Sequence, residues 1–357
     1  MEQVLEQKCR ACGAPLRFDP EQGKLVCDSC GAKQEIPAEL QIGDVDLTGF
    51  DFQAMTEHAA AEDAEALPVY HCVSCGAEVI APAEQIALTC PYCGNNIVLT
   101  DKVAGKLRPE GVIPFRIDKK QLPEAMNRFY KGKALLPKNF FSEQTMSKVT
   151  GVYVPFWMFS GRIDGLLRFR GETAGTHRLG DYIVTQTHHY QLSRDAELAF
   201  EDVPVDASGR IADSLMDSLE PFDMSEAKPF DMRYLAGFTA DRFDRAKDDV
   251  AERARSRMIA SAERAVVSTL SGYSGVRRAG GSLRARMKAR YVLLPVYLFS
   301  IQHGGKDYEF AVNGQTGKVV GTLPVSKSVS ARYFLVRMGA AAAAVVAAFF
   351  ARYMMGA

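Results

Sequence analysis

Two stretches of the chain run apolar, then through a proline, then aromatic: Val152-Tyr-Val-Pro-Phe-Trp-Met-Phe-Ser160 and Val292-Leu-Leu-Pro-Val-Tyr-Leu-Phe-Ser300. Both predict strands. A proline has no N–H to give to a ladder, so each strand is expected at a sheet edge or at a bulge, with its aromatics packed inward. The pair reads as a repeated core strand; the alternative is a lipid or ligand groove lined by Phe156, Trp157, Phe159, Tyr297 and Phe299. Apolar–polar alternation continues through Leu166–Arg170 and Asp181–Leu192, the spacing of half-exposed strands. His188 and His189 fall in the second of these, and neighbours on a strand point to opposite faces, so they cannot readily share one metal. Tyr308–Val312, a turn at Asn313-Gly314 and Gly317, and Lys318–Val320 predict a hairpin.

The period changes elsewhere. Gly111–Asp118 predicts a short strand, and Lys119–Lys131 a helix with Leu122, Met126, Phe129 and Tyr130 inward. From Asp241 to Leu270, Phe243, Ala246, Val250, Ala254, Met258, Ala262 and Val266 recur every three to four residues with charges opposite, which predicts a long helix covering one sheet face. Strands and helices together give residues 101–326 as an α+β domain, mostly antiparallel.

The end of the chain, Tyr333 to Met355, is apolar apart from Arg337 and Arg352. Those arginines are about 22 Å apart on a helix, short of the roughly 30 Å of a hydrocarbon core, and snorkelling stems cover the difference. Tyr333 and Tyr353, about 30 Å apart, suit the two interfaces. Residues 327–357 therefore predict a single-pass membrane anchor; the alternative is an interfacial or packed alanine helix. Lys327, Arg332 and Arg337 outweigh Arg352, so the bulk of the chain is expected in the cytoplasm, on the cytoplasmic membrane. Met1–Lys8 reads as no secretory signal, which agrees.

All eight cysteines stand in CxxC steps. Cys9, Cys12, Cys27 and Cys30 are spaced as Cys72, Cys75, Cys90 and Cys93 are, and Gly13, Gly31, Gly76 and Gly94 follow the steps where a tight knuckle needs them. The repeat predicts two zinc ribbons, 1–40 and 69–100, each closing a Zn2+ ion in four thiolates. Such a shell leaves no open position for water, so both ions are expected to be structural; iron, or a redox-releasing zinc, is the other reading. Thiolates kept for metal also fit a reducing compartment.

Charge is segregated although the 357 residues balance to zero. Residues 1–40 hold five bases and seven acids, and residues 41–100 nine acids and no Lys or Arg, so the first hundred carry −11 and the rest +11. Residues 41–68 read as an acidic linker with one short helix near Ala54–Ala66. The second ribbon has no base to meet a phosphate, so nucleic acid is not its expected partner. Arg277, Arg278, Arg284, Arg286, Lys288 and Arg290 form a basic run free of acids, either a solvated loop, a contact for anionic headgroups, or a receiver for the acidic half. His58, His71, His177, His188, His189 and His303 are scattered, no cysteine is left as a nucleophile, and no phosphate loop occurs, so no enzyme and no small-molecule substrate is expected.

The CxxCG knuckles, GVYVPFW at 151–157, LLPVY at 293–297 and NGQTGKVVG at 313–321 make the chain resemble a family of bacterial membrane proteins labelled TFIIB-type zinc-ribbon-containing. The resemblance spans nearly the whole chain. It implies a carboxyl-terminal hydrophobic segment, an association with SPFH (flotillin-like) and phage-shock-A-like proteins, and a scaffold role in membrane stress. The functional expectation is a non-enzymatic adaptor held at the membrane, with a nucleic-acid-associated ribbon protein as the alternative.

Overall fold

A computed structural model describes residues 4–5, 8–36, 69–72, 78–81, 84–90, 96–99, 108–137, 140 and 149–354. The expected linker 41–68 and its short helix lie outside them. The chain opens with β1 (Val4–Leu5) and a three-stranded ribbon of β2 (Leu16–Asp19), β3 (Lys24–Cys27) and β4 (Lys33–Gln34). Next come β5 (Val69–His71), β6 (Glu78–Ile80), β7 (Gln85–Thr89) and β8 (Asn96–Leu99). Then follow β9 (Gly111–Val112), α1 (Leu122–Tyr130), β10 (Thr150–Leu179), β11 (Tyr182–Asp206) and α2 (Asp213–Leu219). The remainder is β12 (Lys228–Pro229), β13 (Thr239–Asp241), α3 (Lys247–Ser268), β14 (Ser274–His303), β15 (Lys306–Asn313), β16 (Val319–Gly321) and α4 (Lys327–Met354). The α+β class expected from the periodicities is what folds.

The two proline segments pair with each other. β10 and β14 run antiparallel, with Val152 opposite Val296, Tyr153 opposite Pro295 and Pro155 opposite Leu293. This corrects the expectation of edge strands or bulges, because both prolines sit in interior strands at regular register. Each escapes the missing donor by its place in the ladder. On its other side β10 pairs with β13 as far as Tyr153 and with β11 from Phe156, so Pro155 faces the gap between two partners. On β14, β9 reaches Leu293 and β15 begins at Val296, leaving Pro295 at the matching gap. Only the carbonyls are used there, accepting from Ala207 N at 3.1 Å and Gly314 N at 2.8 Å.

β10 and β14 each run 30 residues, about 100 Å at ~3.3 Å per residue, and continue past the core as an arm flanked by β11. Gly180, at φ +61°, is the first of two residues joining β10 to β11, the position a type II′ turn reserves for glycine. Leu179, Tyr182 and Ile183 at this tip are exposed.

One face of the sheet is covered by α3, whose Val250, Ala254, Met258, Ala262 and Val266 are all buried. They pack with Ile163, Leu167, Phe169, Leu192 and Leu283, and burial of each side chain larger than alanine contributes about 1.5–3 kcal/mol. The helix starts later than its periodicity: Asp249 accepts from Ala246 N at 2.9 Å and caps the first turn, so Phe243 and Ala246 precede it. Phe243 instead packs against Trp157 and Tyr291, with ring centroids 5.0 and 5.1 Å away. The opposite face is covered over Val154, Phe156 and Met158 by Met216 and Leu219 of α2, and beyond Ser160 no described residue packs over it.

The aromatics considered as a groove are core. Tyr153 and Tyr297 surround Phe115, which stacks on Phe238 at 4.1 Å, and Trp157 donates Nε1–H to the Arg245 carbonyl at 3.0 Å. The expected strand Gly111–Asp118 is paired only over Gly111–Val112, since Pro114 breaks the ladder and Phe115 turns into this cluster. The hairpin at 308–320 forms as expected, with Val312 opposite Val319. Asn313 Oδ1 accepts from the Gln315 and Thr316 amides, and its Nδ2 donates to the carbonyls of Leu219 and Pro221.

Under α2, Asp206 is fully buried; Ser208 N donates to its Oδ1, and Oδ2 has no hydrogen-bond partner among the described residues. Burial raises its pKa to about 7. A carboxyl whose folded pKa lies above its unfolded value favours folding in its protonated form, so this contribution is full below about pH 4 and lost as pH rises through about 7. Asp206→Asn, which keeps the Oδ1 acceptor, is expected to gain in Tm over the parent progressively from pH 5 to pH 8. A Tm difference that stays flat across that range in thermal melts would contradict the assignment.

Candidate metal centre and membrane helix

Cys9 and Cys12 stand in the loop before β2, Cys27 ends β3, and Cys30 lies in the loop before β4. Each loop is a knuckle closed by glycine: Gly13 and Gly31 both take φ +74° and donate to the carbonyls of Cys9 and Cys27 at 2.9 and 2.8 Å. The hairpin β2–β3, with Leu16 opposite Cys27, sets one knuckle beside the other. The four sulfurs lie within 4.8 Å of one another, with Cys9 to Cys30 at 3.6 Å and Cys12 to Cys27 at 3.5 Å. A tetrahedron with Zn–S of about 2.3 Å has edges of about 3.8 Å, so the donor set fits the ion.

Electrostatics agree with that fit. The Ala11 and Cys12 amides hold the Cys9 thiol below its ordinary value, and those of Cys30 and Ser29 bring Cys27 to about 7. Cys30 behaves oppposite: the Ala32 amide lowers it, but the sulfurs of Cys12, Cys9 and Cys27 together push it up to about 12. Four thiolates this close repel one another unless a cation sits among them. Zinc held by Cys9, Cys12, Cys27 and Cys30 would pin two loops of a unit whose own core is small.

That unit is seated on the main domain. Phe18 N donates to the Ala236 carbonyl at 3.0 Å, and the Phe18 ring meets Tyr234 at 5.4 Å. Gly237, at φ +87°, lets Arg17 approach; a Cβ there would come 2.6 Å from its Cγ.

Of the second cysteine set, Cys72 follows β5 and Cys90 follows β7, both buried with Tyr70, Val79, Leu88, Ile97 and Leu99. Cys75 and Cys93, with Gly76 and Gly94, lie outside the described residues. Among the described residues, one four-cysteine centre is therefore assembled. The strands of the second unit join the main sheet, β8 to β1, β8 to β7, and β7 to β13 with Ala87 opposite Ala240. Sequence periodicity gave no sign of that connection.

His188 and His189 face Thr173 and Glu172 across the ladder on opposite sides, as adjacent strand residues must, with His189 Nδ1 3.2 Å from Glu172. His177 is exposed near the arm tip, and His303 packs against Phe140 at 5.4 Å.

Within α4, Val329–Ala348 is long and apolar enough to cross a membrane, and none of it is buried in the protein. Its 20 residues span about 30 Å. Helical side chains lean towards the amino end, and Arg337 does so, its guanidinium 5.1 Å from the Tyr333 ring. That carries the charge towards the basic flank. Among the described residues, no α4 side chain belongs to a core cluster, so those clusters are formed without the helix.

These features define a zinc-ribbon-bearing α+β protein with one apolar carboxyl-terminal helix. The chain is 35% identical over 334 residues to the Bacillus subtilis (strain 168) protein described as "Uncharacterized protein YdjG", covering 93% of each chain, and it belongs to that protein's family. No protein-family model matches the chain, and no solved structure does.

Elemental analysis of the purified chain is expected to show Cys27→Ser carrying one zinc equivalent per chain fewer than the parent. Equal zinc in the two would remove the first centre.

Proposed function

We propose that this protein is a non-enzymatic, membrane-anchored adaptor, its ribbons turned to the cytoplasm and recruiting SPFH-type partners in membrane-stress defence. The observation that carries the reading is one chain uniting a closed thiolate centre with an unburied apolar helix. A closed shell offers a metal no substrate position, so the ion serves architecture. The helix, flanked by Lys327, Arg332 and Arg337 on its amino side, supports a cytoplasmic body by the excess of positive charge. The resemblance to TFIIB-type zinc-ribbon membrane proteins supports the partner class, and the second cysteine set supports a second structural zinc. The acidic charge of the first hundred residues favours a protein surface over nucleic acid as the ribbons' partner.

Two measurements test the reading. The full chain is expected in the membrane pellet after ultracentrifugation and a chain ending at Ser326 in the supernatant; a full chain in the supernatant overturns the anchor. Capture from detergent-solubilised membranes is expected to recover SPFH-type proteins with the parent and at least about tenfold less with Cys72→Ser/Cys90→Ser, the order of effect of losing ~1.4 kcal/mol of binding. Undiminished recovery would remove the ribbons as the docking element.

A further inference from the structure

The arm is a sheet with one covered face. Ile163, Leu167 and Phe169 of β10 are buried towards α3, so alternation turns Arg162, Asp164, Arg168 and Arg170 to the other side. There they join Arg286, Arg284 and Arg277 from β14, opposite Arg162, Asp164 and Arg170 in the ladder, with Lys288 and Arg290 further along the same strand. Arg278 of the same basic run is not part of this face: it turns under the sheet and pairs with Glu263 of α3.

Part of the charge is answered internally. Asp164 takes Arg286 at 2.9 Å and Arg284 at 3.7 Å, Glu197 reaches Arg162 at 3.8 Å, and Asp202 holds Arg290 at 2.7 Å. Arg168, Arg170, Arg277 and Lys288 are exposed and form no ion pair among the described residues. The remaining acids of this face, Glu172 and Asp195, lie towards the tip or on β11, while the β14 column from 277 to 290 contains none.

Lysines and arginines on an outer strand often serve only to discourage edge-to-edge aggregation. That accounts for Lys288 on β14, which is an edge here. It does not account for Arg168 and Arg170, which sit on β10 between two partners. Moreover Arg170 stands directly opposite Arg277, and like charges so placed destabilise a sheet. Among the described residues neither arginine has an ion pair to offset that repulsion.

We propose that this open face is a docking surface for the anionic phospholipid headgroups of a bilayer. The reading rests in part on the membrane anchor proposed above, which would hold the face near such a surface. Charge complementarity selects the headgroups, and the arm ends in Leu179, Tyr182 and Ile183, exposed side chains suited to the interfacial region of a membrane. The body then has two contacts with the bilayer, one inserted and one electrostatic.

The test uses residues 1–326, which keep every core cluster, in flotation with phosphatidylcholine vesicles with or without phosphatidylglycerol. Binding to the anionic vesicles, weakening as salt rises, is expected, with none to the neutral ones. Each basic residue at such a surface contributes about fivefold, so Arg168→Glu/Arg170→Glu/Arg277→Glu, which reverses three charges, is expected to lose more than about a hundredfold in partitioning. The corresponding Gln variant is expected to bind weakly yet melt no lower than the parent, because it removes the Arg170–Arg277 repulsion; this separates lost binding from lost folding. Equal binding to both vesicle types, binding to neither, an unaffected triple variant, or retention of duplex DNA in place of vesicles would each overturn the proposal. A failed fractionation of the full chain would remove the anchor without altering the vesicle result.

Discussion

The antiparallel pairing of β10 with β14 is the constraint on which the rest of the molecule depends. Its register, from Thr150 opposite Leu298 to Glu172 opposite Ser274, decides which side chains meet α3 and which meet α2 or solvent. A shift by one residue would turn every side chain over. Pro155 and Pro295 help to fix it, because each can lie only where no amide is wanted from its strand. In both strands that place is the gap between two successive neighbours. The prolines thus mark where β13 hands over to β11 and where β9 hands over to β15.

Around this ladder the smaller units are attached by backbone as well as side chains. The first ribbon rests on the segment before β13 through Phe18 and Arg17, and β1 reaches across to β8. β7 then joins β13, so β7 and β8, on either side of Cys90, extend the sheet that carries the core. Cysteine chemistry and sheet pairing are consequently linked: what holds a knuckle also holds strands that hydrogen-bond to the main domain.

Local patterns were legible in the sequence where one short-range cause settles them. Glycine after each CxxC step reports a left-handed knuckle, and Gly13 and Gly31 adopt it. Asn313-Gly314 within alternating apolar residues reports the hairpin that forms. The buried face of α3 follows from its period, although its start was set by the Asp249 cap and not by Phe243. Long-range pairing was hidden. Nothing local to Val152–Ser160 names Val292–Ser300 as its neighbour, and a proline's tolerance depends on strands distant in sequence. The Gly180-Asp181 turn was a usable signal, since it separates two alternating runs and would have joined them into the arm. Of the predicted metal ligands, Cys9, Cys12, Cys27 and Cys30 are gathered as their spacing implied, while charge counted along the chain could not say that Arg278 and Arg277 belong to opposite faces.

Because β10 is one uninterrupted strand from the core to the arm tip, the two regions are a single mechanical element. Its hydrogen bonds to β11 and β14 lie across the long axis, so a pull along the arm loads many of them together in shear. The arm therefore behaves as a lever with its fulcrum in the aromatic core. A load applied near Gly180 is thus shared across three strands before it reaches Trp157 and Tyr153, tens of ångströms away.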